Sequence, residues 1–216
     1  MNAASLLAAI MTTVLIRVWI YSYLAQLFDG SVANFPEPPD AAECSPRLAT
    51  AINAMRTAVA QSSTDDMGAD HARLFVNAQH GVAAPPYASW YLDRQLLGPS
   101  SQWVEQAYGE QGLERASDAG EPPDYIGAEL EFLLFLARHE LAARSTDDDD
   151  ALRVVLDSEK KFVLSHVALW LPAFITHIRT AEPGPVFAAA GDLLWAVVQD
   201  DVSRLSTDWS KPIARR

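Results

Sequence analysis

Residues 121–144, EPPDYIGAELEFLLFLARHELAAR, decide the fold. Pro122 and Pro123 fix φ and fit an α-helix only in its first turn, so a helix starts close to Asp124 and meets no further proline. Ile126, Leu130, Leu133, Leu134, Ala137 and Leu141 recur at the spacing of one helix face, a stripe that needs burial against other helices. Glu129, Arg138 and Glu140 fall largely off that stripe. Just ahead of the helix, Glu121 and Asp124 sit in an acidic, proline-stiffened hinge whose shape is set before anything binds. The hinge is the leading candidate for a functional site.

Toward the amino terminus, residues 3–28 form a long apolar run. No Lys or Arg precedes it, no small-residue cleavage site is clear, and Arg17 sits near its middle, where a bilayer centre would cost roughly 2.5–3.5 kcal/mol. The run reads as a core helix, apolar on most of its circumference. Gly30 ends it, and the proline-rich loop DGSVANFPEPPD follows over 29–40. Helical spacing returns over 45–62 through Leu48, Ile52, Met55 and Val59, and Thr64 or Asp65 caps a short helix running into Leu74 and Phe75. Between residues 72 and 98, Gly81 and the Pro85-Pro86 pair deny regular structure, yet Phe75, Tyr87, Trp90 and Tyr91 are there. An irregular loop with aromatics either packs over the core or offers them to a partner.

Residues 99–116 are expected to be helical. Beyond the central helix, STDDDDALR reads as a charged linker and helix start; it lacks the alternating ligands, glycine and terminal glutamate of a calcium loop. Ser158 is expected to cap a helix reaching Ile178, with Pro172 kinking or splitting it. A last helix spans about Pro185 to Leu205, and a short basic tail, WSKPIARR, follows. With no sustained alternation and no Asn-Gly turn, the fold class is all-α: one domain over 1–216, eight to ten helices, hinged at about 117–124.

The net charge of −12, from 16 basic and 28 acidic residues, argues against a nucleic-acid partner, which needs a basic stripe, and favours a cationic partner or mere solubility. Cys44, the sole cysteine, has no internal disulfide partner, which suits a reducing compartment. No phosphate-cradling glycine loop, dinucleotide fingerprint, His-Glu zinc motif or nucleophile elbow is present. The five histidines are scattered, so no catalytic residue, metal or cofactor is expected.

A family likeness is carried by Leu74-Phe75-Val76, by Pro85-Pro86-Tyr87 with Ser89, Tyr91, Leu92 and Asp93, by Glu121-Pro122-Pro123-Asp124-Tyr125, and by Phe162 to Phe174 with His166, Trp170 and Pro172. In order and spacing these resemble the TorD/DmsD molybdoenzyme maturation chaperones, with NarJ-type proteins as distant relatives, over residues 5–205. The family's hinge motif reads E-P-x-D-H. Glu121, Pro122 and Asp124 match it, and Tyr125 stands where the histidine would be.

The resemblance implies an all-helical, non-enzymatic, cytoplasmic chaperone. Such a protein binds the twin-arginine leader or the apo catalytic subunit of a dimethyl sulfoxide reductase-type enzyme, assists insertion of the molybdopterin cofactor and holds back export. On that implication Glu121, Pro122, Asp124 and Tyr125, with Leu74, Phe75, Tyr87, Ser89, Tyr91, His166 and Trp170, form the client site. Arginines would be held by Glu121 and Asp124, and an apolar segment by Leu74, Phe75, Tyr87 and Tyr91. Two alternatives stay open: Tyr87 and Tyr91 pack the loop, and Asp124 only caps its own helix, the central one. At the level of function the competing reading is an assembly subunit docked permanently in a larger complex. The oligomer, monomer or helix-exchanged homodimer, is open.

Overall fold

The computed structural model describes residues 3–31, 44–76, 81–114 and 120–206. Most of the proline loop, part of the hinge, His80 and the basic tail lie outside them. The described residues form nine α-helices and no strand: α1 (Ala3–Phe28), α2 (Pro46–Ala60), α3 (Thr64–His71), α4 (Ala88–Leu92), α5 (Pro99–Glu110), α6 (Ile126–Ser145), α7 (Asp149–Phe162), α8 (Ala168–Thr180) and α9 (Pro185–Ser206). A π-helical turn, Ala72–Val76, continues α3, and a second, Val163–Val167, joins α7 to α8.

Local chemistry sets the ends. α1 stops at Phe28 because Gly30 takes the left-handed conformation, φ +78°, and Ser31 N–H turns back to the Gln26 carbonyl at 3.0 Å. Ser45 caps α2 through Leu48 N–H, with Pro46 in the first turn. Ser63, not Thr64 or Asp65, caps α3, accepting from Asp66 N–H at 3.1 Å. Ser158 is no cap. α7 begins nine residues earlier, where Asp148 accepts from Ala151 N–H at 2.9 Å and Asp149 and Asp150 meet the positive end of the helix dipole. Ser158 lies mid-helix and donates to the Val154 carbonyl. α5 ends at Glu110, short of 116, where Gly112 takes φ +72°. Pro172 lies inside α8, five residues past the end of the widened turn at 163–167, and does not split the helix.

α6 is the axis of the bundle. α1 packs along it antiparallel: Tyr125, before the first turn of α6, bonds the Phe28 carbonyl, and Arg17 reaches Glu140 in its last turns. α7 returns against α6, α9 lies on α2 and α8, and α8 packs on α4. One continuous core unites Ile20, Leu24, Phe28, Leu130, Leu133, Phe162, Trp170, Phe174, Phe187 and Leu194. Each such side chain contributes about 1.5–3 kcal/mol by leaving water.

Glu129 and Glu140, although largely off the apolar stripe of α6, are both buried, because partners from distant helices meet them inside. Glu140 joins a neutral six-residue ion cluster. Arg17, only 3% exposed, contacts Glu140, Glu159 and Asp201 on α6, α7 and α9, while Arg144 and Arg204 close the outer side. Tyr21 donates to Asp201. Burial opposes ionisation of Glu140 and Asp201, but the adjacent guanidiniums of Arg17 and Arg204 outweigh it and hold both carboxyls below their usual range. α1 also departs from its expected burial. Its second half is core, but of its most apolar 18-residue window only 28% is buried. By length and composition, Ser5–Phe28 and Asp149–Thr180 are each long and apolar enough to cross a membrane; both carry a charge in the buried ion cluster, Arg17 and Glu159.

Candidate functional site

The hinge and the aromatic loop meet as two short extended segments. Ala88 N–H donates to the Asp124 carbonyl at 3.0 Å and Ile126 N–H to the Pro86 carbonyl at 2.8 Å, an antiparallel bridge centred on Tyr87 and Tyr125. The prolines on both sides make it possible, since each holds its neighbours out of the helical region. The carbonyl of Pro123 accepts from the Tyr108 hydroxyl at 2.8 Å, and that of Pro122 from Tyr125 N–H at 3.1 Å. The hinge is thus pinned from α5 and from within itself.

Asp124 points inward. It is 0% exposed, and its Oδ2 accepts from Ser89 N–H at 2.7 Å, capping α4 from another part of the chain. Its Oδ1 and the Ser89 hydroxyl, both buried, have no hydrogen-bond partner among the described residues. Tyr125 also faces inward. Its hydroxyl donates to the Phe28 carbonyl, which His71 Nε2 approaches at 2.8 Å, so the open end of α1 is closed by hinge and α3 together. Burial pushes the Tyr125 hydroxyl up, with Asp29 and Glu121 adding to it, so it remains a donor. Gly127 is required below it: a Cβ there would stand 2.6 Å from the Tyr125 ring.

What faces solvent is narrower than the sequence set. Glu121 is exposed, and its Oε2 accepts from the Tyr87 hydroxyl at 2.7 Å; Pro122, Tyr87 and Tyr91 are half-buried. Burial, then the bond to Glu121, raises the Tyr87 hydroxyl well above its ordinary value. Tyr91 stacks on Trp170, ring centroids 5.6 Å apart, and its hydroxyl is 3.4 Å from His177 Nδ1.

The other expected site residues are support. Leu74 and Phe75 are buried, Phe75 against Phe28 and Phe187 at 5.5 and 5.3 Å. Behind Tyr91, Trp170 Nε1 donates to Glu129 Oε2 at 3.2 Å, and Glu129 Oε1 lies 2.6 Å from His166 Nε2. His166 stands in the second π turn and stacks under Trp103 at 5.2 Å. Burial dominates at Glu129 and raises its carboxyl above the usual range, although His166 pulls the other way. His139 is exposed and bonds its own helix.

Sequence reasoning named Trp90 and Leu92 without placing them in the site, and passed over Leu96 and Leu97 beside it. Trp90 and Leu92 on α4 are exposed, and in the turn after it Leu96 and Leu97 are 50% and 63% exposed. Arg94 and Leu97 there adopt φ +59° and +57°, rare for side chains larger than asparagine. The run DRQLLG carried a signal, two adjacent leucines in a turn, that helix periodicity does not weigh. Among the described residues no three His, Cys, Asp or Glu side chains are grouped to hold a metal ion.

The geometry has relatives. A family model described as the nitrate reductase delta subunit matches residues 41–176. The chain is similar to a protein named Chaperone protein TorD from Vibrio cholerae, 29% identical over 155 residues that cover 71% of this chain and 68% of the relative. It is also similar to a protein of the same name from Escherichia coli, 28% identical over 197 residues, covering 84% and 92%. A solved structure from Archaeoglobus fulgidus, described as a redox enzyme maturation protein, superposes with a TM-score of 0.52 at 19% identity, over 83% of this chain and 93% of that one, and shares its all-helical fold.

Proposed function

The chain belongs to the nitrate reductase delta subunit family, whose TorD-type members are non-catalytic chaperones, and on that premise we propose that it is a cytoplasmic redox-enzyme maturation chaperone acting as one domain through the paired hinge and aromatic loop. Its client is a dimethyl sulfoxide reductase-type catalytic subunit, bound through a twin-arginine leader or the apo subunit, and retained until molybdopterin is in place. The supporting observation is the exposed carboxylate of Glu121, oriented by the Tyr87 hydroxyl on a backbone that Asp124 locks from within. A carboxylate held this way accepts a guanidinium in charge-assisted contacts, and the half-buried Tyr87 and Tyr91 with Trp90 and Leu92 offer apolar area next to it. Asp124, Tyr125, Leu74, Phe75, Ser89, His166 and Trp170 shape this site from behind.

The test is affinity capture of the tagged protein from its host cytosol with mass spectrometry of what accompanies it. A molybdopterin oxidoreductase bearing an uncleaved twin-arginine leader should be enriched and lost with Glu121→Gln, whose melting stays that of the wild type. A protein that returns alone from cells expressing such an enzyme, or an E121Q variant that retains it fully, refutes the proposal.

A further inference from the structure

Glu129 ties the two halves of the site to each other. It stands in the first turn of α6, where its N–H donates to the Tyr125 carbonyl at 3.0 Å, so its backbone continues directly from the hinge. Its side chain, 1% exposed, runs the other way, to α8 and the π turn before it: Oε2 accepts from Trp170 Nε1 at 3.2 Å, and Oε1 lies 2.6 Å from His166 Nε2. Trp170 in turn carries the Tyr91 ring at 5.6 Å, the two planes 28° apart. Phe174 braces both, 5.3 Å from the indole and 6.1 Å from Tyr91. His166 is itself fixed, stacked on Trp103 at 5.2 Å and 23°. A buried indole N–H needs an acceptor, and the position of that acceptor selects the orientation of the ring. One carboxyl therefore sets the indole, and the indole is the platform for a half-buried tyrosine of the site.

We propose that Glu129 is a positioning residue of the client site, acting through Trp170 to hold Tyr91 where the client meets it. The proposal rests on the reading of Tyr91 as part of that site, and it assigns to a buried acid on α6 the register between the hinge and the aromatic loop. The backbone bridge between Tyr87 and Tyr125 fixes the two segments at one point. Glu129 fixes the aromatic loop a second time at Tyr91, four residues and about one helical turn further along. Two fixed points set a direction where one sets only a position. Space filling alone does not call for a carboxyl here. Burial, with Asp124 adding to it, opposes its ionisation although His166 pulls the other way, and an apolar side chain of the same size would fill the volume without that cost. An apolar side chain would supply neither an acceptor for the indole nor a partner for the imidazole.

The test reads Tyr91 and the client separately. The full chain, grown with 3-fluorotyrosine, is followed by fluorine NMR, the Tyr91 signal being the one absent from Tyr91→Phe. Glu129→Leu and Trp170→Phe should each shift or broaden that signal. Glu129→Gln, whose amide keeps an acceptor for the indole and can donate to the His166 ring, should return it to the wild-type position. Client capture is measured below the lowest Tm, as recovery of the oxidoreductase at limiting bait. It should fall about fivefold or more in Glu129→Leu and in Tyr91→Ala, recover in Glu129→Gln, and fall no further when Glu129→Leu is added to Tyr91→Ala. Trp170→Phe keeps a ring and the contact between Glu129 and His166, so it cuts the same link if Glu129→Leu does not fold. The proposal is overturned if the Tyr91 signal is the same in the wild type, Glu129→Leu and Trp170→Phe, if the Glu129 and Tyr91 losses multiply, or if Glu129→Gln is as damaged as Glu129→Leu. A Tyr91→Ala variant that captures the client fully refutes the client-site reading itself, and this proposal with it; a Tyr91 that matters for capture but does not respond to Glu129 refutes this proposal alone.

Discussion

Replacing Asp124 by alanine tests whether the hinge acid acts inward or outward. In the structure its Oδ2 is the acceptor for Ser89 N–H at 2.7 Å, in a position with no solvent access. Alanine leaves that N–H buried and unpaired, at about 1–3 kcal/mol. Part of this is returned, because Oδ1, which has no partner among the described residues, is removed as well. The net expectation is about 1–2 kcal/mol, close to the usual value of a lost helix cap. For a chain of this size it corresponds to a fall in Tm of roughly 2–8 °C. Asp124→Asn retains an oxygen for Ser89 N–H, so its loss should stay under about 1 kcal/mol. Differential scanning calorimetry of the three proteins, with client capture below the lowest Tm, is the assay. Unchanged melting of Asp124→Ala together with lost capture would mean that the carboxylate engages the partner directly, and the capping argument would fail.

Further outcomes follow from the buried groups. Arg17→Met strands three carboxylates and should cost about 3–5 kcal/mol in urea unfolding; a loss under about 1 kcal/mol would show that Arg144 and Arg204 suffice. Glu140 and Asp201 are held below the ordinary carboxylate range, so their contribution is complete above that range and is lost as pH falls through the depressed values. Acid unfolding of the Arg17 variant should therefore begin at higher pH than that of the wild type. Glu129 has the opposite sign: its raised pKa stabilises the fold below the ordinary range and loses that contribution as pH rises through the raised value. The stability of Glu129→Gln relative to wild type should improve from acidic to neutral pH, and a flat difference would contradict the burial argument. Tyr125→Phe should lose about 1 kcal/mol, the bond to the Phe28 carbonyl, without changing client capture at temperatures where it is folded.

The all-helical class was legible because prolines, glycines and apolar spacing are local signals. Gly30, Ser45 with Pro46, and the stripe from Ile126 to Ala137 act where they stand. The burial of Glu129 and Glu140 was not legible, because an amphipathic pattern carries no sign of a buried partner, and theirs, His166 and Arg17, lie 37 and 123 residues away. Ser158 looked like a cap because the preceding aspartates resembled a linker; one of them, Asp148, holds the cap instead. At the site, the hinge and aromatic loop could be found from their prolines. The direction of Asp124 could not, since it depends on a bridge between segments 35 residues apart.

The widened turn at Val163–Val167 sets the angular phase between α7 and α8. Closing it to ordinary α-helix while keeping all five residues would rotate everything beyond by about 100° relative to α7. Trp170 would swing away from Glu129 and from the ring of Tyr91, and Phe174 from Phe28, while composition and hydropathy stayed almost unchanged. In relatives of this chain, a one-residue deletion within these five positions is therefore expected to come with an ordinary α-helical turn and α8 still in phase, whereas the same deletion elsewhere in α7 would misalign the whole of α8.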